Sequence, residues 1–306
     1  MMSDRTAHLV ERAAALLRSG AGLAPETDND LAVAARAADP PRLPAAPAGA
    51  APPLERPGLD MAALQQAGLA LSGQARTRIL DEYRIAVDRI LHILRSAATR
   101  TEAGNLLPDD QLPRNLLMVT SAKPGEGKTF TALNLAASIA QSGLAEVLLV
   151  DMDVSPTSLS ARLGLTDASG LYDLVANPVL RVEGTLVRTA IGGLFCLPVG
   201  SRAATIAGPG GGRPVSAALE RLRRCFAGHV IILDCAPCLS SSDPSTLAAL
   251  ADQIIMVVEA ERTQPRELEA ALELIRTCPH ITLLLNKVRL TTNHTFGAYH
   301  YHGARP

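Results

Sequence analysis

Ser121-Ala122-Lys123-Pro124-Gly125-Glu126-Gly127-Lys128-Thr129-Phe130 carries more information than any other ten residues of this 306-residue chain. The chain holds 29 basic residues but only three lysines, and two of these, Lys123 and Lys128, stand five residues apart in this stretch. A lysine ammonium is a compact point charge and an arginine a planar fork, so these are positions where arginine does not serve. Ala122-x-x-x-x-Gly127-Lys128-Thr129 is a phosphate-binding-loop pattern with alanine for the usual first glycine. Gly125 and Gly127 permit the tight turn that aims successive N–H groups at phosphate oxygens. Lys128 is then placed for β- and γ-phosphates and the Thr129 hydroxyl for Mg²⁺. The whole run Lys123, Pro124, Gly125, Glu126, Gly127, Lys128, Thr129 and Phe130 is the candidate nucleotide-binding set.

The flanks fit that reading. Asn115 to Thr120 is a short apolar run that predicts a buried strand, and Thr129 to Gln141 predicts a helix whose N-terminus adds free N–H donors and partial positive charge. Two further apolar runs end in carboxylates. Glu146 to Val150 leads into Asp151-Met152-Asp153, and Val230 to Leu233 into Asp234. In a parallel α/β sheet ligands gather at the carboxyl ends of strands. Asp151, Asp153 and Asp234 therefore join Lys128 as candidate catalytic residues. Mg²⁺ prefers one or two carboxylates with phosphates and waters, which makes Thr129, Asp153 and Asp234 its candidate ligands. Asp151 is the first choice to orient or deprotonate an incoming hydroxyl.

The expected fold is α/β: a mostly parallel sheet with helices on both faces, of the P-loop NTPase, deviant Walker-A-like type. Helices are predicted over Val215–Phe226, Asp243–Ala251 and Pro265–Thr277, and strands over Ile254–Val258 and Ile281–Leu285. Residues 1–58 read as an amphipathic helix (Ala7 to Arg18) and a mobile Pro/Ala-rich linker (Pro40 to Pro57). Residues 59–114 read as a helical lead-in with a helix near Arg76 to Ala98. The nucleotide-binding domain spans 115–288, and 289–306 is a flexible tail. Gly208 to Gly212 reads as a surface loop without chemistry.

Composition narrows the function. A formal charge of −1 gives no global attraction to nucleic acid, and no nucleic-acid partner is expected. No apolar run approaches a membrane span and no signal peptide is visible, so a cytoplasmic protein is expected. Five cysteines without a secretory signal suggest free thiols. Cys235-Ala-Pro-Cys238 lacks a second C-x-x-C and reads as packing rather than a zinc or redox site. His294, His300 and His302 read as part of a solvated tail.

One phosphate loop, an Asp-x-Asp strand end and a strand ending Asp234-Cys-Ala-Pro237 resemble the bacterial tyrosine kinases, which share nothing with the eukaryotic kinase signatures. The likeness extends to Leu163-Gly-Leu165, Gly170-Leu171-Tyr172-Asp173-Leu174, Leu197-Pro-Val-Gly200, the Asp243 segment and Leu285-Asn286. Leu59-Asp60-Met-Ala-Ala-Leu64 and Asp81-Glu82-Tyr83-Arg84 are similar to the autokinases of exosortase-associated exopolysaccharide loci. The resemblance implies an ATP- and Mg²⁺-dependent tyrosine autokinase that phosphorylates Tyr299 and Tyr301 of the tail between subunits of a homo-oligomer. It also implies a role in exopolysaccharide biosynthesis or export, with an inner-membrane chain-length regulator as activator and recruiter. The sequence departs from the pattern after Asp153, where Val154-Ser155-Pro156 carries no cation, and at Val87, where the oligomerisation helix usually has arginine. Lys123 also matches the extra lysine of the deviant Walker-A ATPases that position septa and partition chromosomes. That leaves a second expectation, an ATP-driven dimer switch without kinase activity.

Overall fold

All six residues of β1, Leu116–Ser121, are buried, because the strand lies in the interior of the sheet with helices over both faces. The near-continuous apolar run that marked it in the sequence is the signature of such a strand. The structure is a computed structural model, and it describes residues 58–70, 83, 86–94, 112–201 and 212–288. The sheet has seven strands in the order β3-β4-β2-β5-β1-β6-β7. Besides β1 these are β2 (Glu146–Asp151), β3 (Val187–Arg188), β4 (Leu194–Leu197), β5 (His229–Asp234), β6 (Gln253–Glu259) and β7 (Ile281–Asn286). Every pairing is parallel except β3 with β4. Asp151 faces Asp234 in the β2–β5 register, and Val119 faces Asp234 in the β1–β5 register. Register alone therefore brings the ends of these strands together beside the loop that follows β1.

Each face of the sheet has its own apolar core. On one face the sheet packs with α4 (Leu171–Ala176), α5 (Gly212–Cys225), α6 (Asp243–Ala248) and α7 (Pro265–Leu274), through residues such as Leu174, Leu222, Leu247 and Leu272. On the other lies α2 (Lys128–Gln141). Ten of its fourteen residues are buried, too many for a helix with one covered face. The second cover is the lead-in segment. The short helix α1 (Met61–Ala67) and the helical residues 86–94 put Leu64, Ala67, Val87, Ile90, Leu91 and Leu94 into the same core as α2.

The lead-in is also tied down by polar contacts. The Leu59 N–H donates to the Arg188 carbonyl at 2.8 Å, and the Leu59 carbonyl accepts from Ala190 at 2.7 Å, extending the β3 edge. Asp60 caps α1 through the Ala63 N–H at 2.8 Å. Buried Asn134 of α2 accepts from the Ala70 N–H and donates to the carbonyls of Gly68 and Phe130, at 2.8–3.0 Å. Below the strands, Arg223 of α5 is buried. It bonds the carbonyls of Pro113 and Leu250 and forms an ion pair with Asp252 at 2.8 Å.

The expected strands and helices are present with ends shifted by a few residues. Gly212, expected in a loop, is the first residue of α5. The expectations over Ala7–Arg18, Pro40–Pro57, Asp81, Arg84 and the 289–306 tail lie outside the described residues. Among the described residues no helix is long and apolar enough to cross a membrane.

Candidate nucleotide-binding site

The loop between β1 and α2 turns through Gly125 (φ +87) and Gly127 (φ +101), both in the left-handed region that favours glycine. The first bond of α2 runs from the Thr131 N–H to the Gly127 carbonyl at 2.9 Å. The N–H groups of Lys128, Thr129 and Phe130 therefore have no carbonyl one turn back and remain available to an anion. The segment after β5 runs alongside, its Cys238 and Leu239 N–H groups bonded to the carbonyls of Ser121 and Ala122 at 2.8 and 3.1 Å.

Lys128 reaches into the site and pairs with Asp153 Oδ2 at 2.6 Å, with the Thr129 hydroxyl 3.4 Å from its Nζ. Burial works against the Lys128 charge, but Asp234, Asp153 and Asp151 outweigh it and hold the ammonium above its ordinary pKa. Burial likewise pushes the Asp153 carboxyl up, and the Lys128 bond reverses this and holds it below the usual range.

Asp151 is almost fully buried. Its two oxygens accept the N–H groups of Asp153 (3.1 Å) and Ser160 (2.6 Å), so it shapes the loop from β2 into the short helix α3 (Leu159–Arg162). Burial raises its pKa against the hydrogen bonds from the Ser160 side chain and from the Ser160 and Asp153 N–H groups.

Asp234 is wholly buried, and neither carboxylate oxygen accepts a hydrogen bond of normal geometry. Burial is the main cause that lifts its pKa to about 7. Lys128 opposes it, Asp151 and Asp153 add to it, and the Thr129 hydroxyl lies near enough to damp the rise. A buried carboxylate with two orphaned oxygens, beside a threonine hydroxyl and an anion-binding loop, fits a Mg²⁺ ion that takes its other ligands from phosphate and water. Among the described residues no group of three or more His, Cys, Asp or Glu side chains is arranged to hold a metal ion.

The remaining loop residues have other partners. Glu126 turns inward: its Oε2 accepts the Lys123 N–H at 2.8 Å and its Oε1 the Thr263 hydroxyl. Its side chain is thus a brace for the loop. The Lys123 ammonium pairs with Glu267 of α7 at 2.7 Å. The Phe130 ring lies against Gly68 of the lead-in. Pro124 is exposed at the tip. Cys235 and Cys238 are buried, and burial raises both thiols, Cys238 to about 11, so they stay neutral. Tyr299 and Tyr301 lie outside the described residues.

The sequence reading passed over three residues at this site, Ser160, Thr263 and Lys287, and named a fourth, Asn286, without giving it a role. Ser160 holds Asp151, Thr263 holds Glu126, and Asn286 and Lys287 bond the carbonyls of Glu126 and Gly125 at 2.9 and 2.6 Å. Ser160 and Thr263 left no trace in the pattern. Lys287 did, as the third lysine of a chain that otherwise uses arginine.

These features define a nucleotide-binding protein of the P-loop class. The family model for the CobQ/CobB/MinD/ParA nucleotide-binding domain matches residues 117–296, and the chain belongs to that family. Among curated proteins it is similar to bacterial tyrosine-protein kinases. It is 29% identical over 235 residues to EpsB of Ralstonia solanacearum, named as a candidate tyrosine-protein kinase, covering 72% of this chain but 29% of that one. To the tyrosine-protein kinase YwqD of Bacillus subtilis it is 27% identical over 189 residues, covering 60% and 76%. The kinase domain of the Escherichia coli tyrosine kinase ETK superposes with a TM-score of 0.50 at 21% identity, over 60% of this chain and 71% of that chain, which speaks to fold alone.

Proposed function

We propose that the chain is an ATP- and Mg²⁺-dependent protein-tyrosine autokinase. The observation that carries the reading is the convergence of the phosphate loop, the Lys128–Asp153 pair and the orphaned Asp234 carboxylate at the carboxyl ends of β1, β2 and β5. The tyrosine-kinase relatives supply the reaction.

The loop amides and Lys128 hold the triphosphate, and Lys128 is the charge that follows the γ-phosphoryl as it transfers. Thr129 and Asp234 would hold Mg²⁺, with Asp153 in support, and the ion would supply charge neutralisation to the transferring phosphate. Asp151, fixed by two backbone N–H groups and raised by burial, orients the incoming phenol and accepts its proton as the oxygen–phosphorus bond forms and ADP leaves. A free phenol has a pKa near 10, so the transfer needs such a proton acceptor at hand.

Tyr299 and Tyr301 are the acceptors. They follow β7 in sequence, and β7 ends beside the phosphate loop. Transfer occurs between chains of a homo-oligomer, and a membrane-bound chain-length regulator of exopolysaccharide synthesis recruits and activates the kinase. These last elements rest on the sequence resemblance to the bacterial tyrosine kinases.

The rival reading, an ATP-driven dimer switch, has the spacing of Lys123 in its favour. In the structure that ammonium pairs with Glu267 of its own chain, and the curated relatives bear the kinase name. The test is mass spectrometry of the C-terminal peptide after incubation with ATP and Mg²⁺. Phosphate on Tyr299 or Tyr301 in the wild type and none in Lys128→Met is expected. An unmodified tail on a protein that binds or hydrolyses ATP refutes the kinase and favours the switch.

A further inference from the structure

The phosphate loop is gripped from outside by the next two strands of the sheet. Asn286, the last residue of β7, donates through Nδ2 to the Glu126 carbonyl at 2.9 Å. Lys287 donates through Nζ to the Gly125 carbonyl at 2.6 Å and pairs with Glu259, the last residue of β6, at 3.1 Å. Lys287 holds φ +58, a left-handed conformation uncommon in residues with side chains. The approach is close: a Cβ on Gly127 would stand 2.1 Å from Asn286 Nδ2.

In a trans peptide the carbonyl and the following N–H point in opposite directions. Fixing the Gly125 and Glu126 carbonyls toward β7 therefore turns the N–H groups of Glu126 and Gly127 away from it, into the hollow of the loop. A concavity of successive N–H groups is what binds a phosphate. Lysine suits the place because one compact ammonium can sit between a carbonyl and a carboxylate. All three lysines of the chain thus meet at one ten-residue loop.

We propose that Asn286 and Lys287 are positioning residues for the triphosphate. They act through the loop backbone, and Glu259 holds Lys287 in place. The proposal rests on the nucleotide-binding reading and extends it to residues outside the phosphate-loop pattern.

The test uses the full chain and a fluorescent ATP analogue with Mg²⁺, measuring Kd and melting temperature for wild type, Lys287→Met, Asn286→Ala, Glu259→Gln and the Lys287→Met/Glu259→Gln double variant. Misplaced loop amides weaken binding about tenfold to a hundredfold in Lys287→Met and Asn286→Ala. Glu259→Gln weakens it in the wild type but adds nothing to Lys287→Met, because its effect passes through that lysine. A purely structural role would lower the melting temperature and leave Kd unchanged. Kd values within twofold of wild type, or an equal cost of Glu259→Gln in both backgrounds, overturn the proposal. Should Asn286→Ala fail to fold, Lys287→Met decides, since the Lys287 side chain is 45% exposed and its loss uncovers no core. A wild type that binds no analogue overturns the nucleotide reading and the clamp together, whereas binding that the variants leave intact overturns the clamp alone.

Discussion

The Lys128 ammonium lies 2.6 Å from Asp153 Oδ2, in a pocket where Asp151 and Asp234 add two further carboxylates. The lysine is thus already paired, and a γ-phosphate must draw it from Asp153 or share it. The pairing also keeps Asp153 ionised at neutral pH. Replacing it with Asn leaves Lys128 charged and free. Asp153→Asn is therefore expected to bind ATP at least as well as wild type while phosphate transfer falls by about 10² or more, as for loss of one charge-stabilising group. A fluorescent-nucleotide titration beside an initial-rate assay checks it, and weakened binding with an unchanged rate would contradict it.

Asp234 gives a pH signature. Its folded pKa is raised to about 7 from 3.8, chiefly by burial. Between those values the unfolded chain binds fewer protons than the native one, so stability of the metal-free protein falls as pH rises through that window. Asp234→Asn removes the titration. Above pH 7 the variant should be more stable than metal-free wild type by about 1–3 kcal/mol, the usual cost of an unsatisfied buried polar group. Near pH 4 the difference should vanish. Mg²⁺ with nucleotide should stabilise the wild type and not the variant. Urea melts at two pH values, with and without Mg-nucleotide, measure all three.

Much of the layout of this candidate site is legible in the sequence. The loop announces itself because phosphate binding demands glycine, lysine and threonine at fixed spacing. The three aspartates stand out because each follows an apolar run. What the sequence hides is who holds whom. Glu126 lies within the motif, yet its side chain braces Thr263, 137 residues away. The lead-in looked like a separate helical segment because α1 is only seven residues long and its covering role depends on α2 being buried on nearly all sides. Strands β3 and β4, of two and four residues, are too short to show a period. Their place is set by pairing with β2, which only the fold reveals.

Asn134 tests the union of lead-in and nucleotide domain. Its amide serves Ala70, Gly68 and Phe130, joining residues 68–70 to the first turn of the phosphate-loop helix. Asn134→Leu keeps the volume and strands the Ala70 N–H and the Gly68 carbonyl, while the Phe130 carbonyl keeps its helical bond to the Asn134 N–H. A loss of about 1–3 kcal/mol per buried group left unsatisfied is expected. Hydrogen exchange should rise at both 59–70 and 128–131. Exchange confined to one of the two would separate the segments that the structure joins.

The reach of the tail can be settled by splitting the two halves of the reaction between chains. A Lys128→Met chain keeps its tyrosines but cannot handle the triphosphate. A Tyr299→Phe/Tyr301→Phe chain keeps the site but offers no acceptor. Each alone should remain unphosphorylated on its C-terminal peptide. Mixed with ATP and Mg²⁺, phosphate should appear on the Lys128→Met chain alone, because its tail must enter the other chain's site. The rate should rise with total protein concentration, since the step needs an encounter. Transfer within one chain makes the opposite prediction: the mixture stays blank, while wild type modifies itself at a rate independent of concentration.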